Sequence, residues 1–491
     1  MALMTRSSPV GRHLILTGFR FMLDAALVPL SMIAGAAWRF GSLYSEKLEM
    51  YAPAVAVAAV VLPSLAYIGG LYSPGVPRLE SWSRIRWFFF SLAATVMVLL
   101  GMGSVSLEAR VGRGVLFYGL LVLSVLYAGH HFLLPKRFRM PRLRAACLVS
   151  GPDDAMAAEI LAHSSPQIQV VGVMVVGNAV AATGKLPVLG KFDGLERTVL
   201  PPIVNTILVR DQHLVMPSLT SVLRRWRYQG IEIMSLADVC EMVLQAVPLP
   251  LVTESWLFRA SNQSGMLYIK KLKRLFDITT ALLFLIVLGP VLLLGMVAVR
   301  LSSPGPVLFR QTRMGRLGRE FVIFKLRSMR VDAEKNGPQW SAGAKDDRVF
   351  PMGNFLRKYR VDEIPQLFNI LRGDMSFVGP RPERPEFIDQ LEKEIPFYRE
   401  RLLVQPGLTG WAQVKYPYGS NIEDAWRKHE FDLYYIKHMS VLLDFFVLLE
   451  TTRTVLIGGN RKPDALINAM HQWKQLGPAD ASELQPVLTK S

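Results

Sequence analysis

Residues Ile278–Val299 read ITTALLFLIVLGPVLLLGMVAV, a run of 22 residues without a charge. As one straight helix it measures about 33 Å, enough to cross the hydrocarbon of a bilayer. Its flanks argue against a simple crossing. Lys270, Lys271, Lys273 and Arg274 precede it; Arg300, Arg310, Arg313, Arg316 and Arg319 follow it. Basic residues favour the cytoplasmic side, so both ends prefer the same face of the membrane. Gly289-Pro290 sits at the centre of the run. Proline removes a backbone donor and crowds the preceding turn, while glycine adds freedom, so the pair reads as a break. Each arm is then about 15 Å long, roughly half the bilayer depth. The expectation is a helix–break–helix hairpin over 278–299 that enters one leaflet and returns. Asp277 heads its first arm, where a carboxylate complements a helix N-terminus.

Working outward, the first third of the chain holds four more apolar segments: Leu14–Ala36, Ala52–Tyr72, Trp87–Leu107 and Gly114–Leu134. Each has about 20 residues, the length of a transmembrane helix. The first run is long and lacks a small-residue cleavage pattern, so a cleaved signal peptide is not expected. Arg20 and Asp24 stand one turn apart in it and read as an ion pair at the interfacial end of a helix. A functional pair inside the bilayer is the competing reading. Lys and Arg crowd the start (Arg6, Arg12, Arg20), the second loop (Arg78, Arg84, Arg86) and the segment after the fourth run (Lys136, Arg137, Arg139, Arg142, Arg144). Both ends of a four-helix bundle over 1–140 are thereby placed in the cytoplasm.

Composition agrees with a membrane protein. The chain is 491 residues long and 51% hydrophobic, yet carries a formal net charge of +17. The basic residues lie beside apolar segments and no nucleic-acid motif occurs, so no nucleic-acid partner is expected. Cys147 and Cys240 are the two cysteines. They make neither a disulfide framework nor a metal-spaced pair.

From about Ala145 short apolar runs alternate with helical stretches. Ala146–Ser150, Val170–Val176, Thr206–Val209 and Ile231–Ser235 read as strands, Met156–His163 and Ser218–Tyr228 as helices. This alternation predicts a parallel sheet in a Rossmann-like α/β domain over 141–265. Its first strand ends in Ser150-Gly151-Pro152-Asp153. A dinucleotide fingerprint needs several glycines at fixed offsets, so cofactor binding is not expected, and a regulatory or assembly role is.

Downstream of the hairpin, a mixed α/β domain is expected over 266–460, followed by a dispensable tail over 461–491. Strands are predicted around Val307–Gln311 and over Phe321–Met329, and helices over Met352–Arg360 and Ile364–Leu371. The polar stretch Asp332–Arg348 has no assignable pattern. Between the two helices lie Asp362 and Glu363, adjacent carboxylates among Arg357, Lys358 and Arg360. Paired carboxylates can divide attack, metal binding and proton handling between them. Clustered arginines suit phosphate oxygens, which a planar guanidinium engages in pairs. Phosphoryl transfer at a membrane surface is the chemistry this predicts.

Five motifs then carry a resemblance: Lys273-Arg274-Leu275-Phe276-Asp277, Lys325-Leu326-Arg327-Ser328-Met329, Val361-Asp362-Glu363-Ile364-Pro365-Gln366-Leu367-Phe368-Asn369, Gly373-Asp374-Met375-Ser376-Phe377-Val378-Gly379-Pro380-Arg381-Pro382 and Pro406-Gly407-Leu408-Thr409-Gly410-Trp411-Ala412-Gln413-Val414. The run from about Lys271 to Gly459 resembles the bacterial sugar transferase family, the polyprenyl-phosphate hexose-1-phosphate transferases. The bundle and middle domain resemble the large members. The family commonly has serine before the mid-helix proline, where this chain has Gly289.

The resemblance implies transfer of a hexose-1-phosphate from a UDP-sugar, glucose or galactose being the guess, to polyprenyl (undecaprenyl) phosphate. UMP is released, as the initiating step of exopolysaccharide, capsule or O-antigen synthesis. It implies Asp362 as the nucleophile that forms a covalent phospho-sugar intermediate, and Glu363 as metal or proton partner. Mg2+ is the implied cofactor, held by Asp362 and Glu363 with Asp374 and Asp432 as further candidates. Lys325, Arg327, Arg357 and Arg381 are phosphate candidates; Trp411 and Gln413 are candidates for the nucleotide base. The expected location is the bacterial inner membrane with the catalytic domain cytoplasmic, and self-association is a further expectation. Val441–Ile457, apolar but carrying Asp444, Glu450 and Arg453, reads as an in-plane interfacial helix. The rival readings are a nucleotide-sugar hydrolase, with water as acceptor, and a membrane receptor or scaffold.

Overall fold

The computed structural model describes residues 9–41, 46–69, 71–72, 81–105, 111–133, 143–164, 168–176, 186–191, 200–254, 256–258, 267–331, 333, 348–416 and 421–457. The chain divides into two compact units, Met1–Pro141 and Arg142–Ser491. The expected tail over 461–491 lies outside the described residues, as do Arg78 and the basic residues Lys136–Arg142.

The first unit contains helices α1 (Pro9–Phe40), α2 (Glu46–Ile68), α3 (Ser81–Val105) and α4 (Arg113–Ala128). Each contains a stretch long and apolar enough to cross a membrane. The Arg20–Asp24 ion pair expected at a helix end is replaced by a larger arrangement. Asp24 is fully buried. The helix widens into a π turn over Gly129–Leu133 after α4, and consecutive histidines reach the carboxylate there. His130 Nδ1 lies 2.5 Å and His131 Nε2 2.7 Å from its two oxygens, and the Tyr72 hydroxyl donates to it as well. Arg20 instead donates to His130 Nε2 at 3.4 Å. Burying a carboxylate demands that its lone pairs be satisfied, and two histidines and a tyrosine from other segments surround it more fully than one arginine on the same helix.

The second unit opens with a five-stranded parallel sheet in the order β3-β2-β1-β4-β5. The elements are β1 (Leu143–Val149), α5 (Pro152–Ser164), β2 (Ile168–Val175), β3 (Val188–Lys191), β4 (Thr206–Val209), α6 (Pro217–Tyr228), β5 (Glu232–Ser235) and α7 (Leu236–Leu244). The predicted strands and helices fall within a few residues of these; β3 was not anticipated. α6 turns Leu219, Val222, Leu223 and Trp226 onto the sheet against Ala146, Leu148, Ile207 and Val209, the i, i+3, i+4, i+7 spacing of one buried helical stripe.

Next comes α8 (Leu267–Ser302), 36 residues long and continuous through Gly289-Pro290. The expected division into two helices is therefore not present as an interruption. A single proline removes one donor and crowds one turn, and a long helix absorbs that locally. Asp277 lies well inside α8 rather than at its head. Its Oδ1 accepts from Ser376 Oγ at 2.9 Å and from the Phe377 amide at 3.0 Å.

The remainder is a compact mixed body: the antiparallel pair β6 (Leu308–Met314) and β7 (Glu320–Leu326), α9 (Pro351–Lys358), α10 (Gln366–Arg372), β8 (Ser376–Val378), α11 (Pro385–Glu394), β9 (Gly407–Thr409), α12 (Trp411–Lys415), α13 (Ile422–His438) and α14 (Val441–Ile457). β8 and β9 pair in parallel so closely that a Cβ on Gly379 would stand 2.3 Å from the Gln405 carbonyl, and one on Gly407 2.2 Å from the Gly379 amide. This backbone contact explains why the two glycine-containing motifs occur together. α14 points its charges inward: Asp444 and Glu450 are buried, while Leu442 and Val455 are exposed.

Candidate active site

Asp362 and Glu363 sit in a 3-10 turn, Val361–Glu363, between α9 and α10. The turn is entered through Arg360 in the left-handed region, φ 57°. Few non-glycine residues adopt that backbone, and it marks a site whose surroundings hold the chain in place. From α10, Asn369 reaches back to the edge of β7, its Nδ2 donating to the Val322 carbonyl (2.7 Å) and its Oδ1 accepting from the Phe324 amide (3.1 Å). This clamp places Lys325 beside the dyad.

The two carboxylates have opposite environments. Glu363 Oε1 lies 3.1 Å from Arg360, 3.3 Å from Arg381 and 3.7 Å from Lys325. Burial pushes its carboxyl up, but Arg381, Lys325 and Arg360 together outweigh burial and hold it well below the usual range. Asp362 is also buried, yet its Oδ1 has no hydrogen-bond partner. Burial first, then the adjacent Glu363 charge, push its carboxyl up to about 6 against the pull of Lys325, Arg360 and Arg357. Burial lowers the Lys325 ammonium to about 8 despite Glu363. The result is one caged carboxylate held toward its ionised form beside one carboxylate with an oxygen available, ringed by four cations.

The remaining candidates divide. Arg381 and Lys325 join the dyad, and Arg357 acts on Asp362 through its charge. Arg327 is engaged elsewhere: its guanidinium donates to the Ser303 and Pro304 carbonyls, each at 2.6 Å, pinning the turn after α8. Trp411 donates its indole N–H to the Gln245 carbonyl (2.8 Å) and stacks on Tyr434, so it joins the sheet domain to the catalytic body. Gln413, partly buried, has an Nε2 without a partner. Asp374 accepts from Asn369 (3.3 Å) and faces Arg372, in the turn after α10. Asp432 pairs with Arg401 at 3.0 Å. Gly289 and Pro290 lie within α8, away from the dyad turn in sequence, and a Cβ on Gly289 would meet nothing within 4 Å. Among the described residues no third carboxylate or histidine converges on the dyad; the group of that kind is Asp24, His130 and His131.

The family model described as bacterial sugar transferase matches residues 268–458. A UDP-glucose:undecaprenyl-phosphate glucose-1-phosphate transferase of Caulobacter vibrioides is 41% identical over 191 residues, 38% of this chain and 71% of that protein. This chain belongs to the bacterial sugar transferase family.

A UDP-N-acetylgalactosamine-undecaprenyl-phosphate N-acetylgalactosaminephosphotransferase of Aeromonas hydrophila is a further relative, 46% identical over 187 residues. That match spans 38% of this chain and 44% of the relative, so this sugar transferase covers less than half of that protein. An undecaprenyl-phosphate glucose phosphotransferase of Komagataeibacter xylinus is 29% identical over 487 residues, 91% of this chain and 86% of the relative. The similarity there extends through the N-terminal helices and the sheet domain.

Sequence reasoning missed several residues that build the candidate site. Arg360 was read as part of the basic cluster, not as a partner of Glu363; its place three residues before Glu363 was the available signal. Arg401 was overlooked altogether, although it is 5% exposed and bonded to Asp432, to Tyr398 (2.5 Å) and to the Arg381 carbonyl (3.1 Å). Lys273 reaches Asp444 (2.5 Å) and the Val378 carbonyl (3.0 Å), and Arg274 caps α10 through the Ile370 and Leu371 carbonyls (2.5 and 2.7 Å). The first motif is thus a set of inward anchors.

Proposed function

We propose that this chain transfers a hexose-1-phosphate from a UDP-sugar to polyprenyl phosphate through a phospho-sugar intermediate on Asp362. The observation that carries the reading is the buried, unpartnered Oδ1 of Asp362 facing the charges of Lys325, Arg357 and Arg360, with Arg381 on the adjacent Glu363. A nucleotide-sugar diphosphate is neutralised by such a cluster, and an anionic nucleophile can then approach phosphorus. The Asp362 oxygen bonds to the sugar-bearing phosphorus as the bond to the bridging oxygen breaks, and UMP departs with that oxygen. An oxygen of the lipid phosphate next attacks the same phosphorus, the aspartyl bond breaks, and Asp362 is restored. Glu363 keeps Arg360, Arg381 and Lys325 in position through both steps. Relatives named for UDP-glucose and UDP-N-acetylgalactosamine transfer support a UDP-hexose donor, and the proposal includes an initiating step of exopolysaccharide, capsule or O-antigen synthesis.

Magnesium binds phosphates and water with few protein carboxylates. The available Asp362 Oδ1, with Glu363 adjacent, is compatible with that demand, and the ion would supply further neutralisation of the diphosphate. Asp374 and Asp432 are engaged by other partners.

The reading includes re-entry of 278–299 from the cytoplasmic face. What supports it is that the flank before the apolar run and the last turns of the run pack on one body. Lys273, Arg274 and Asp277 bond to Val378, Ile370 and Phe377, while a Cβ on Gly295 would lie 3.0 Å from Leu326 and 3.3 Å from Val361. A helix that crossed the membrane would have to divide these contacts between two faces. Cysteines placed on either side of the run should both react with an impermeant reagent from the cytoplasm, and reaction from opposite faces would discard re-entry.

The activity is tested with membranes and UDP-[14C]hexose. Label in an organic-soluble lipid is the expected result. Free sugar phosphate would mean hydrolysis, and neither product would mean a scaffold. Donor alone should add a hexose phosphate to the wild-type protein and none to Asp362→Asn.

A further inference from the structure

α13 presents two opposite faces to two parts of the molecule. Glu430, Tyr434, Lys437 and His438 share one face; Asp432 and Tyr435 lie about 140–200° round from Glu430 at 100° per residue. The first face docks on the sheet domain. The Glu241 carboxylate, 1% exposed at the end of α7, accepts from Lys437 (2.7 Å) and His438 (2.5 Å). The strap after α7 completes the seat. It starts at Gln245, whose left-handed backbone (φ 53°) turns its carbonyl to the Trp411 indole. Val247 donates to the Glu430 carbonyl at 3.0 Å, and Leu249 to the Glu430 carboxylate at 3.2 Å. The strap is held from the other side by Arg210, which donates to the Pro250 carbonyl at 2.5 Å and pairs with Asp154 at 3.2 Å.

The second face of α13 grips the turn that carries Arg381 at both ends. The Tyr435 hydroxyl lies 2.9 Å from the Val378 carbonyl and 2.7 Å from the Asp444 carboxylate, and Asp444 in turn holds Lys273, which donates to that same carbonyl at 3.0 Å. Asp432 holds Arg401, which donates to the Arg381 carbonyl at 3.1 Å. Between those two points runs Val378-Gly379-Pro380-Arg381, and the Arg381 side chain reaches Glu363. We infer that the sheet domain is a positioning element for catalysis: Glu241 and the strap seat α13, and α13 sets where Arg381 meets the dyad. Glu241, Glu430 and Arg210 are positioning residues, acting through α13 and not on substrate. The inference rests on the proposed activity for its rate readout only.

The test is a double-mutant cycle on the full-length protein in lipid nanodiscs, with Glu241→Gln and Arg381→Lys. Small misplacements of a charge at a reacting centre cost up to about 100-fold, so Glu241→Gln should lower kcat about 10- to 100-fold with the donor KM changed far less. Arg381→Lys should cost much less in the Glu241→Gln background than in the wild type. Independent, multiplying effects would overturn the inference. Amide exchange supplies a second readout that needs no activity. Glu241→Gln, and Lys437→Met from the opposite side, should speed exchange over 376–384. Faster exchange confined to 237–251 and 434–440 would overturn it too. If the wild type forms no lipid-linked sugar phosphate, the proposed reaction falls, while the exchange result still decides the coupling.

Discussion

Asp362 is held in a state that opposes folding, and removing its charge should make the protein more stable while abolishing transfer. Its carboxyl titrates at about 6 in the folded chain against an ordinary 3.8. The folded state therefore binds the proton more tightly than the unfolded one, and keeping Asp362 ionised above pH 6 weakens the fold. The gap between about 6 and 3.8 corresponds to about 3 kcal/mol. Asp362→Asn removes this cost, so at pH 8 the variant should gain up to about 3 kcal/mol. That is about 6–12 °C in melting temperature for a cooperative unit of roughly 150–250 residues. The sign fixes the pH dependence. The gap should be full above pH 6, shrink as pH falls through 6, and vanish below 3.8, where Asp362 is protonated in both states. Intrinsic-fluorescence melts of both proteins in the same detergent, without donor, between pH 3.5 and 8 make the comparison. A variant that melts at or below the wild type at pH 8, or a gap that persists at pH 3.5, would refute the argument that burial and Glu363 raise this group.

Further outcomes follow from the same geometry. Transfer by the wild type should rise about tenfold per pH unit below about 6, as the Asp362 carboxylate forms, and decline above about 8 as Lys325 loses its proton; a profile flat from pH 5 to 7 would exclude Asp362 as the ionising nucleophile. Lys273→Met should cost about 3–5 kcal/mol, because the buried Asp444 charge would lose its ion-pair partner and keep only the Tyr435 hydroxyl at 2.7 Å, and the double variant with Asp444→Leu should recover most of that in denaturant melts. Gly379→Ala should fail to accumulate in membranes, since its Cβ would meet the Gln405 carbonyl at 2.3 Å; wild-type levels on an immunoblot would contradict the tight β8–β9 crossing. Chelation of magnesium should stop lipid-linked product without changing the amide exchange of the dyad turn, and undiminished product would remove the metal from the reaction.

Elements whose signal is local were legible. Apolar length marked the four N-terminal segments, and alternation marked β1, β2, β4 and β5 within a few residues. β3 escaped because Val188-Leu189-Gly190-Lys191 is four residues with a glycine, too short for any period to show. The dyad was legible because adjacency in sequence is adjacency in space. What was illegible depends on distant partners. Asp24 meets histidines more than 100 residues away, across a π turn that no pattern announces. Arg327 and Arg381 look alike in sequence; one faces backbone carbonyls and the other a carboxylate, and tertiary packing alone decides which. Trp411 stands in a motif, yet its ring belongs to the contact between two domains.

The inward-turned polar side chains of α8 make this helix part of the enzyme's interior. Lys273, Arg274 and Asp277 neutralise or cap groups that belong to Asp444, α10 and β8. A truncated fragment beginning after Ser302 would strand a buried carboxylate and uncap a helix, whatever detergent surrounds it. Water-soluble derivatives of this protein must instead recode the lipid-facing leucines of α8 and leave its three anchors in place.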